Sequence, residues 1–377
     1  MTTRNGWIAK AAHFLHENLL WLLLGSYAVA AAWSGPGLAA RRAALGTVAV
    51  GGAHVTLTLP LLLLSLLLFN AGLGVPLDRL RGLARRPLAL VAGLAANLLV
   101  PITFILGVSL VMHAWHNNDE VQNILLGLAL VAAMPIAGSS TAWSQNADGD
   151  LALSLGLVLG STLISPLTTP LALRAVGWMA RGDYAEALFG LASGGAGAFL
   201  LLGVIVPTLL GIAVRLVLGA DRLAPWKSSL KLANMGVLLF LNYANAAVSL
   251  PQAVAHPDAD FLVVTLIIVA GLCATTFTAG WGIARVFGAP HEQRTALMFG
   301  LGMNNNGTGL VMASLALAQY PRVMLPIILY NLTQHLIAGA ADRLICRPAR
   351  ARFQLTSIAG PADLEPRQNA PCPIAQS

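Results

Sequence analysis

Residues 302–309 read Gly-Met-Asn-Asn-Asn-Gly-Thr-Gly and interrupt an otherwise apolar segment of the chain. A second interruption, at residues 134–141, reads Met-Pro-Ile-Ala-Gly-Ser-Ser-Thr. Lipid cannot hydrogen-bond main-chain N–H and C=O groups, so unwound chain at membrane depth persists only inside the protein or beside a wet cavity. Paired breaks at corresponding places in two repeated halves are typical of transporter sites, and Met134 and Met303 of these two lie 169 residues apart.

The composition predicts a membrane protein that crosses the bilayer several times. Of 377 residues, 57% are hydrophobic and 10% are charged, against roughly 25% charged in soluble domains. The net charge of +7 comes from Lys and Arg in short loops, which is a topology signal and not a nucleic-acid patch. The cysteines show no metal-like spacing and no catalytic motif occurs, so we expect no enzyme.

Ten apolar segments each approach the length of about 20 residues that a membrane helix needs. They are residues 19–34, 55–75, 88–112, 121–146, 151–173, 187–218, 230–250, 260–284, 292–318 and 323–345. Residues 35–54 are predicted to form a turn followed by a short re-entrant or interfacial piece. If the N-terminus is cytoplasmic, 16 Lys and Arg lie inside and 5 outside. This asymmetry predicts a multi-pass protein of the plasma (inner) membrane with both termini cytoplasmic.

Five spans per half is an odd number, so a repeated second half must insert upside down. The sequence therefore predicts an all-α membrane protein of about ten transmembrane helices, with a five-plus-five inverted repeat over residues 19–175 and 187–345. The broken helices 4 and 9 are predicted to cross. We expect residues 1–18 to be a cytoplasmic segment, 19–346 the transporter domain and 347–377 a disordered cytoplasmic tail. The oligomeric state is left open.

The polar residues of the two breaks are predicted to bind the substrate. Their hydroxyl and amide groups, and the main-chain N–H groups of the helices that restart there, suit an organic anion. The alternative is a pair of structural kinks that neighbouring helices satisfy. The predicted substrate-binding residues are Ser139, Ser140, Thr141, Asn305, Asn306 and Thr308.

Polar side chains within the other spans leave two interpretations open. Asn97, Asn242 and Asn245 are expected either to hydrogen-bond between helices or to contact a ligand. Asn331 and His335 lie four residues apart on one helical face. His335 is expected to hydrogen-bond between helices, with titration near neutral pH as the alternative.

The carboxylates avoid the centres of the spans. All 15 Asp and Glu residues lie in loops, at span ends or in the tail. Proton antiport through a membrane-embedded carboxylate is therefore disfavoured. Asp150, just before span 5, is predicted to cap that helix.

The order of several motifs resembles the bile acid:sodium symporter family. Ser-Thr at 140–141 is followed by Ala-Asp-Gly-Asp at 147–150, Ala-Leu-Ser at 152–154 and Ser-Thr-Leu-Ile-Ser-Pro at 161–166. Gly-Met-Asn-Asn at 302–305 is similar to the family's Gly-Met-Gln-Asn. The resemblance covers roughly residues 19–345. It implies a panel of helices packed against a core in which helices 4 and 9 unwind and cross, and transport of organic anions with Na⁺.

The resemblance also implies a set of Na⁺ ligands, with three departures. Thr141 replaces an Asn of the family, Val158 replaces a Thr, and Gly300 replaces the Glu shared by two sodium sites. Without that carboxylate, neutral oxygens alone would have to offset the dehydration of Na⁺, so we expect weak binding or none. The implied metal-binding residues are Asn97, Ser140, Thr141, Ser154, Met303 and Asn304, with the main-chain oxygen of Leu301.

The sequence thus predicts a secondary transporter of small organic anions. Its partners would be that anion and the lipid bilayer, without nucleic acid. No cofactor is expected, and Na⁺ is only a candidate coupling ion. One alternative is a proton-linked or uncoupled carboxylate transporter, with His335 or Asp150 as the titrating group. Another is a membrane sensor or scaffold with the same fold that does not transport and that binds a partner through residues 347–377.

Overall fold

The computed structural model of the chain describes residues 7–8, 10–11, 14–15, 18–50, 53–76, 78–85 and 87–346. Most of the predicted N-terminal segment and the whole predicted tail, residues 347–377, lie outside the described residues. The expectations for those two segments therefore stay predictions.

Helices make up most of the described chain, in agreement with the predicted all-α class. Short 3₁₀ turns cover Arg79–Arg85, Met112–Ala114, Ala224–Trp226 and Pro321–Val323, and π turns cover Leu191–Gly195, Leu201–Ile205 and Asp342–Cys346. The α-helices are α1 Leu19–Ala32, α2 Gly35–Arg42, α3 Leu59–Gly74, α4 Pro87–Val111, α5 Asn118–Ala133, α6 Ser139–Asn146, α7 Leu151–Gly177, α8 Gly182–Gly190, α9 Ala196–Leu200, α10 Val206–Leu218, α11 Ala220–Leu223, α12 Lys227–Ala246, α13 Leu250–Ala255, α14 Ala259–Val286, α15 His291–Gly302, α16 Asn306–Ala316 and α17 Met324–Ala341.

Every one of the ten predicted segments contains a helix. Within the described ranges, five helices are long and apolar enough to cross a membrane, and the bent pair α1 and α2 would make a sixth. Two other segments are divided by their breaks, and α3 has only 16 residues. The chain is therefore a multi-pass helical membrane protein.

Residues 35–58 correct the prediction of a turn with a re-entrant or interfacial piece. Helix α2 turns 91° from α1, and an antiparallel hairpin of β1 Ala44–Val50 and β2 Ala53–Thr58 follows. The β-branched residues Thr47, Val48, Val55 and Thr56 favour strands. Span 2, predicted from residue 55, consequently begins as a helix only at Leu59.

The helices form two packed groups. The first, here called the panel, contains α1, α3, α10 and α12, which pack on one another. The second, the crossing bundle, contains α4–α7 and α14–α17. Gly72 on α3 and Gly211 on α10 let two panel helices approach closely, because a Cβ on Gly211 would lie 2.1 Å from the main-chain oxygen of Phe69.

Helix α5 lies at the centre of the crossing bundle. Its side chains from residue 120 to residue 133 are all buried. It packs on α4, α7 and α17. A helix that is apolar around most of its circumference belongs in such a buried position. The first break, which follows α5 directly, is thereby held inside the protein.

Candidate functional site

Both breaks unwind the chain between two short helices. In the first, α5 ends at Ala133 and α6 begins at Ser139, with Pro135 in between. Proline cannot donate a main-chain hydrogen bond and so favours the end of the helix. In the second, α15 ends at Gly302 and α16 begins at Asn306. The side-chain oxygen of Asn305 accepts the N–H of Thr308 at 3.3 Å and caps α16.

The two unwound segments pair with each other. The N–H of Ala137 donates to the main-chain oxygen of Met303, and the N–H of Asn305 donates to that of Pro135, each at 2.9 Å. These bonds flank an antiparallel bridge between Ile136 and Asn304. The breaks therefore meet, as the sequence predicts, and each supplies hydrogen bonds that lipid could not.

Side chains of two further helices satisfy main-chain groups of the bridge. The N–H of Ile136 donates to Ser161 Oγ on α7 at 3.0 Å, and the N–H of Asn304 donates to Gln334 Oε1 on α17 at 3.1 Å. Neither side chain was predicted as a site residue. The sequence holds only weak signals for these two residues. Ser161 belongs to the family-like motif at 161–166 but was assigned no role, and Gln334 lies three residues after Asn331.

The predicted substrate-binding residues lie on both sides of the bridge. Ser140, Asn306 and Thr308 are buried, while Ser139, Thr141 and Asn305 are half-buried. The side-chain oxygens of Ser140, Asn306 and Thr308 make no hydrogen bond within the described part of the chain.

Two of the main-chain N–H groups that were expected to face the anion are engaged locally. Ser140 donates to the Ala137 oxygen at 3.0 Å and Thr141 donates to the Gly138 oxygen at 3.2 Å. These short bonds tighten the first turn of α6. The capacity for binding that remains at the bridge therefore lies in side chains more than in these N–H groups.

The residues implied as Na⁺ ligands fall into two sets. Asn97 Oδ1 and Asn304 Oδ1, like Ser140 Oγ, are buried and make no hydrogen bond to a described residue. Asn97 lines a cavity of ≈ 10 Å³ beside the first break. By contrast, Ser154 Oγ donates to Thr141 Oγ1 at 3.2 Å. The oxygen of Met303 accepts a bond of the bridge.

At the position where the family resemblance puts a Glu, the chain has Gly300 beside an apolar side chain. A Cβ on Gly300 would lie 3.0 Å from Leu157 Cδ1, and Leu157 is fully buried. A side chain at residue 300 would require the end of the Leu157 side chain to shift. The carboxylate that the resemblance assigns to sodium binding thus has no residue here.

A buried chain of hydrogen bonds joins the bridge to the panel. Asn306 Nδ2 donates to Gln334 Oε1 at 3.0 Å, and Gln334 Nε2 donates to Asn331 Oδ1 at 3.4 Å. Asn331 Nδ2 then donates to Tyr27 Oη, which donates to Asn242 Oδ1, each at 2.9 Å. Asn331 and Asn242 therefore bond between helices. Tyr27 was not predicted, because a lone tyrosine in an apolar helix gives no signal.

Three further polar residues, outside the bridge, had roles predicted from the sequence. His335 is half-buried and makes no hydrogen bond to a described residue, so the expected interhelical bond is wrong. Its neighbour Gln334 faces the bridge instead. Asp150 Oδ1 accepts the Leu153 N–H at 3.1 Å, which confirms the predicted helix cap. Asn245 is buried, and its Oδ1 makes no hydrogen bond in the described ranges.

A multi-pass helical protein whose two broken helices pair deep inside it belongs structurally with the membrane transporters. The sequence pattern of the Sodium Bile acid symporter family matches residues 61–253, about half of the chain, including the first break. The chain belongs to this family. Family members are transporters, so the chain is a transporter and not an enzyme.

The chain is also similar to two proteins from Bacillus subtilis strain 168. Uncharacterized protein YbaS is 24% identical over 286 residues, covering 74% of this chain and 86% of its own length. Uncharacterized sodium-dependent transporter YocS is 22% identical over 251 residues, covering 67% of this chain and 72% of its own length.

The bond from the Ile136 N–H to Ser161 gives the first prediction. Ser161→Ala removes the acceptor and leaves a buried N–H unpaired, which should lower the free energy of unfolding by about 1–3 kcal/mol. Thermal unfolding in detergent measures this as a lower Tm. Ser193→Ala is the matched control, because the Ser193 hydroxyl is exposed and bonds only within its own helix. Equal Tm values for the two variants would show that Ser161 does not support the bridge.

Proposed function

We propose that this chain is a secondary transporter that carries a small organic anion bound where the two breaks meet. The observation that carries the proposal is the position of two buried hydroxyls, Ser140 and Thr308, which make no hydrogen bond within the described residues. They lie in the first turns of α6 and α16, beside the bridge. Hydroxyls can donate to a carboxylate, and the N-terminal ends of helices favour negative charge.

Transport requires the site to open alternately to the two sides of the membrane. We place the substrate between the panel and the crossing bundle, near the midplane of ten spans arranged as a five-plus-five inverted repeat. Both termini would be cytoplasmic. Tyr27 and Asn242 belong to the panel, and Asn331 belongs to the crossing bundle. Separation of the two groups would break these hydrogen bonds, and a polar substrate could replace them.

The candidate ligand residues are poorly suited to bind Na⁺ as a coupling ion. The family name and the name of one relative refer to sodium. Asn97, Ser140 and Asn304 offer buried neutral oxygens, but Gly300 supplies no carboxylate. Neutral oxygens alone offset the dehydration of a buried cation incompletely. We therefore propose that Na⁺ does not drive transport. If transport is linked to protons, His335 is the titratable group.

The second prediction concerns the asparagines of the bridge. Asn304→Ala removes the bond to the Val131 oxygen, and Asn305→Ala removes the cap of α16. Each variant should reduce uptake of labelled carboxylates into proteoliposomes at least tenfold, because both alter the geometry of the site. Asn146→Ala, at an exposed position near the end of α6, should transport normally.

Variants of Asn304 and Asn305 that fold and transport at the wild-type rate would contradict a site at the bridge. A wild-type chain that binds carboxylates without exchanging them in counterflow would instead support the sensor or scaffold alternative.

The third prediction concerns the driving ion. Replacing Na⁺ with choline at equal ionic strength should change the uptake rate less than twofold, because the site lacks a charged ligand for Na⁺. A pH gradient tests whether transport is linked to protons, and His335→Gln should remove any response to that gradient. A tenfold loss of uptake without Na⁺ would contradict the proposal and restore sodium coupling.

A further inference from the structure

A cavity of ≈ 270 Å³ lies away from the bridge, where α13 meets the crossing bundle. Helix α13 packs on α1 of the panel, and the other lining residues come from the N-terminal ends of α14 and α17 and the turns before them. Leu325 in this lining and Gln334, which contacts the bridge, lie nine residues apart on α17. That separation is about 14 Å along the helix. The cavity is therefore a separate place from the crossing of the two breaks.

One buried hydroxyl in the cavity wall lacks a partner. Ser249, which precedes α13, is 2% exposed, and its Oγ makes no hydrogen bond to a described residue. A buried hydroxyl without a partner is costly, so its presence in the wall of a cavity indicates a ligand that hydrogen-bonds it. Phe261, Leu262 and Leu325 give the same cavity an apolar surface. The ligand should therefore have an apolar part beside its polar groups.

The cavity also holds one fixed positive charge and one fixed negative charge. Arg322 Nη1 donates to Asp258 Oδ2 at 3.1 Å. The guanidinium lies over the Phe261 ring, with its central carbon 5.6 Å from the ring centre. A guanidinium has five N–H donors and an ionised carboxylate has about four acceptor positions, so the pair can bind further groups. A ligand with a carboxylate and an ammonium group would match both members of the pair.

The surroundings of Asp258 favour a positive group beside it. A hydrogen bond with the neighbouring Asp260 carboxyl raises the pKa of Asp258 above its ordinary value, and the negative charge of Glu120 acts in the same direction. Three carboxyl groups are thus crowded near this end of the cavity. An ammonium group would offset the crowding, whereas a ligand that is only an anion would add a further negative charge.

We propose that this cavity binds an aliphatic α-amino acid in its zwitterionic form. The ammonium group donates to Asp258, the carboxylate accepts hydrogen bonds from Arg322, and the Ser249 hydroxyl gains the partner it lacks. The aliphatic side chain packs on Phe261 and Leu325. The volume, below the roughly 300–1,000 Å³ of sites for drug-sized ligands, suits so small a molecule. The site is independent of the proposed function, because none of its residues belongs to the bridge.

The test measures binding of tritium-labelled L-leucine to the full-length chain purified in detergent, with two competitors. Isocaproate lacks the ammonium group of leucine, and isopentylamine lacks its carboxylate. Binding should be saturable, and each competitor should need a concentration at least tenfold higher than unlabelled leucine to displace half of the label, because each has lost one charged partner. Displacement of the label reports on the leucine site alone, so a carboxylate that also binds at the bridge does not affect the comparison.

Two substitutions assign the leucine to the cavity. Arg322→Gln and Asp258→Asn should each weaken leucine binding at least tenfold, because each removes one charge of the pair. Arg79→Gln is the matched control, since Arg79 is also exposed and pairs with an aspartate, Asp78, but does not line the cavity. Its affinity for leucine should stay within twofold of the wild type. The competition experiment uses only the wild-type chain and so does not depend on a variant that folds.

Three results would overturn the assignment. The first is an absence of saturable leucine binding to the wild-type chain. The second is displacement of the label by isocaproate or isopentylamine as readily as by leucine, which would show that one charge is enough. The third is a folded Arg322→Gln variant with wild-type affinity, which would place the leucine elsewhere. The proposed function is tested separately, by uptake of labelled carboxylates, and stands or falls on that measurement alone.

Discussion

The arrangement of the whole protein depends on the mutual hydrogen bonding of two unwound segments. Membrane helices can end inside the bilayer region only if their main-chain groups find partners in the protein. Here Ala137 donates to Met303 and Asn305 donates to Pro135. A single break would leave main-chain N–H and C=O groups without partners, whereas two paired breaks supply partners for each other's groups. Because the two segments pair, the first turns of α6 and α16 lie beside the same bridge, with their buried hydroxyl and amide groups.

The bridge is also connected to the panel. Gln334 accepts hydrogen bonds from Asn304 and Asn306 and donates one to Asn331. Asn331 in turn bonds Tyr27 of the panel. A buried polar network of this kind is specific because any unsatisfied member is costly. Entry of a polar substrate between the panel and the crossing bundle could therefore exchange these bonds for bonds to the substrate, which would couple binding to movement.

Much of the fold could be predicted from local sequence, because breaks, caps and apolar length are local properties. The two breaks and the Asp150 cap follow from glycine, asparagine and aspartate at particular positions. Partner choice is not local, so Ser161, Gln334 and Tyr27 were missed, and His335 does not make the interhelical hydrogen bond that was expected of it. The hairpin at residues 44–58 was not predicted, because the glycines, proline and arginines before it indicate a turn more strongly than its few β-branched residues indicate strands.

The pairing of Ile136 with Asn304 can be tested by a disulfide between these positions. Facing residues of an antiparallel bridge have Cα atoms roughly 4.5–5.5 Å apart, within the range that a disulfide spans. In a chain whose native cysteines are replaced by alanine, Ile136→Cys with Asn304→Cys should cross-link under mild oxidation in the membrane. Pairing would be contradicted if both thiols react with a maleimide and yet no disulfide forms.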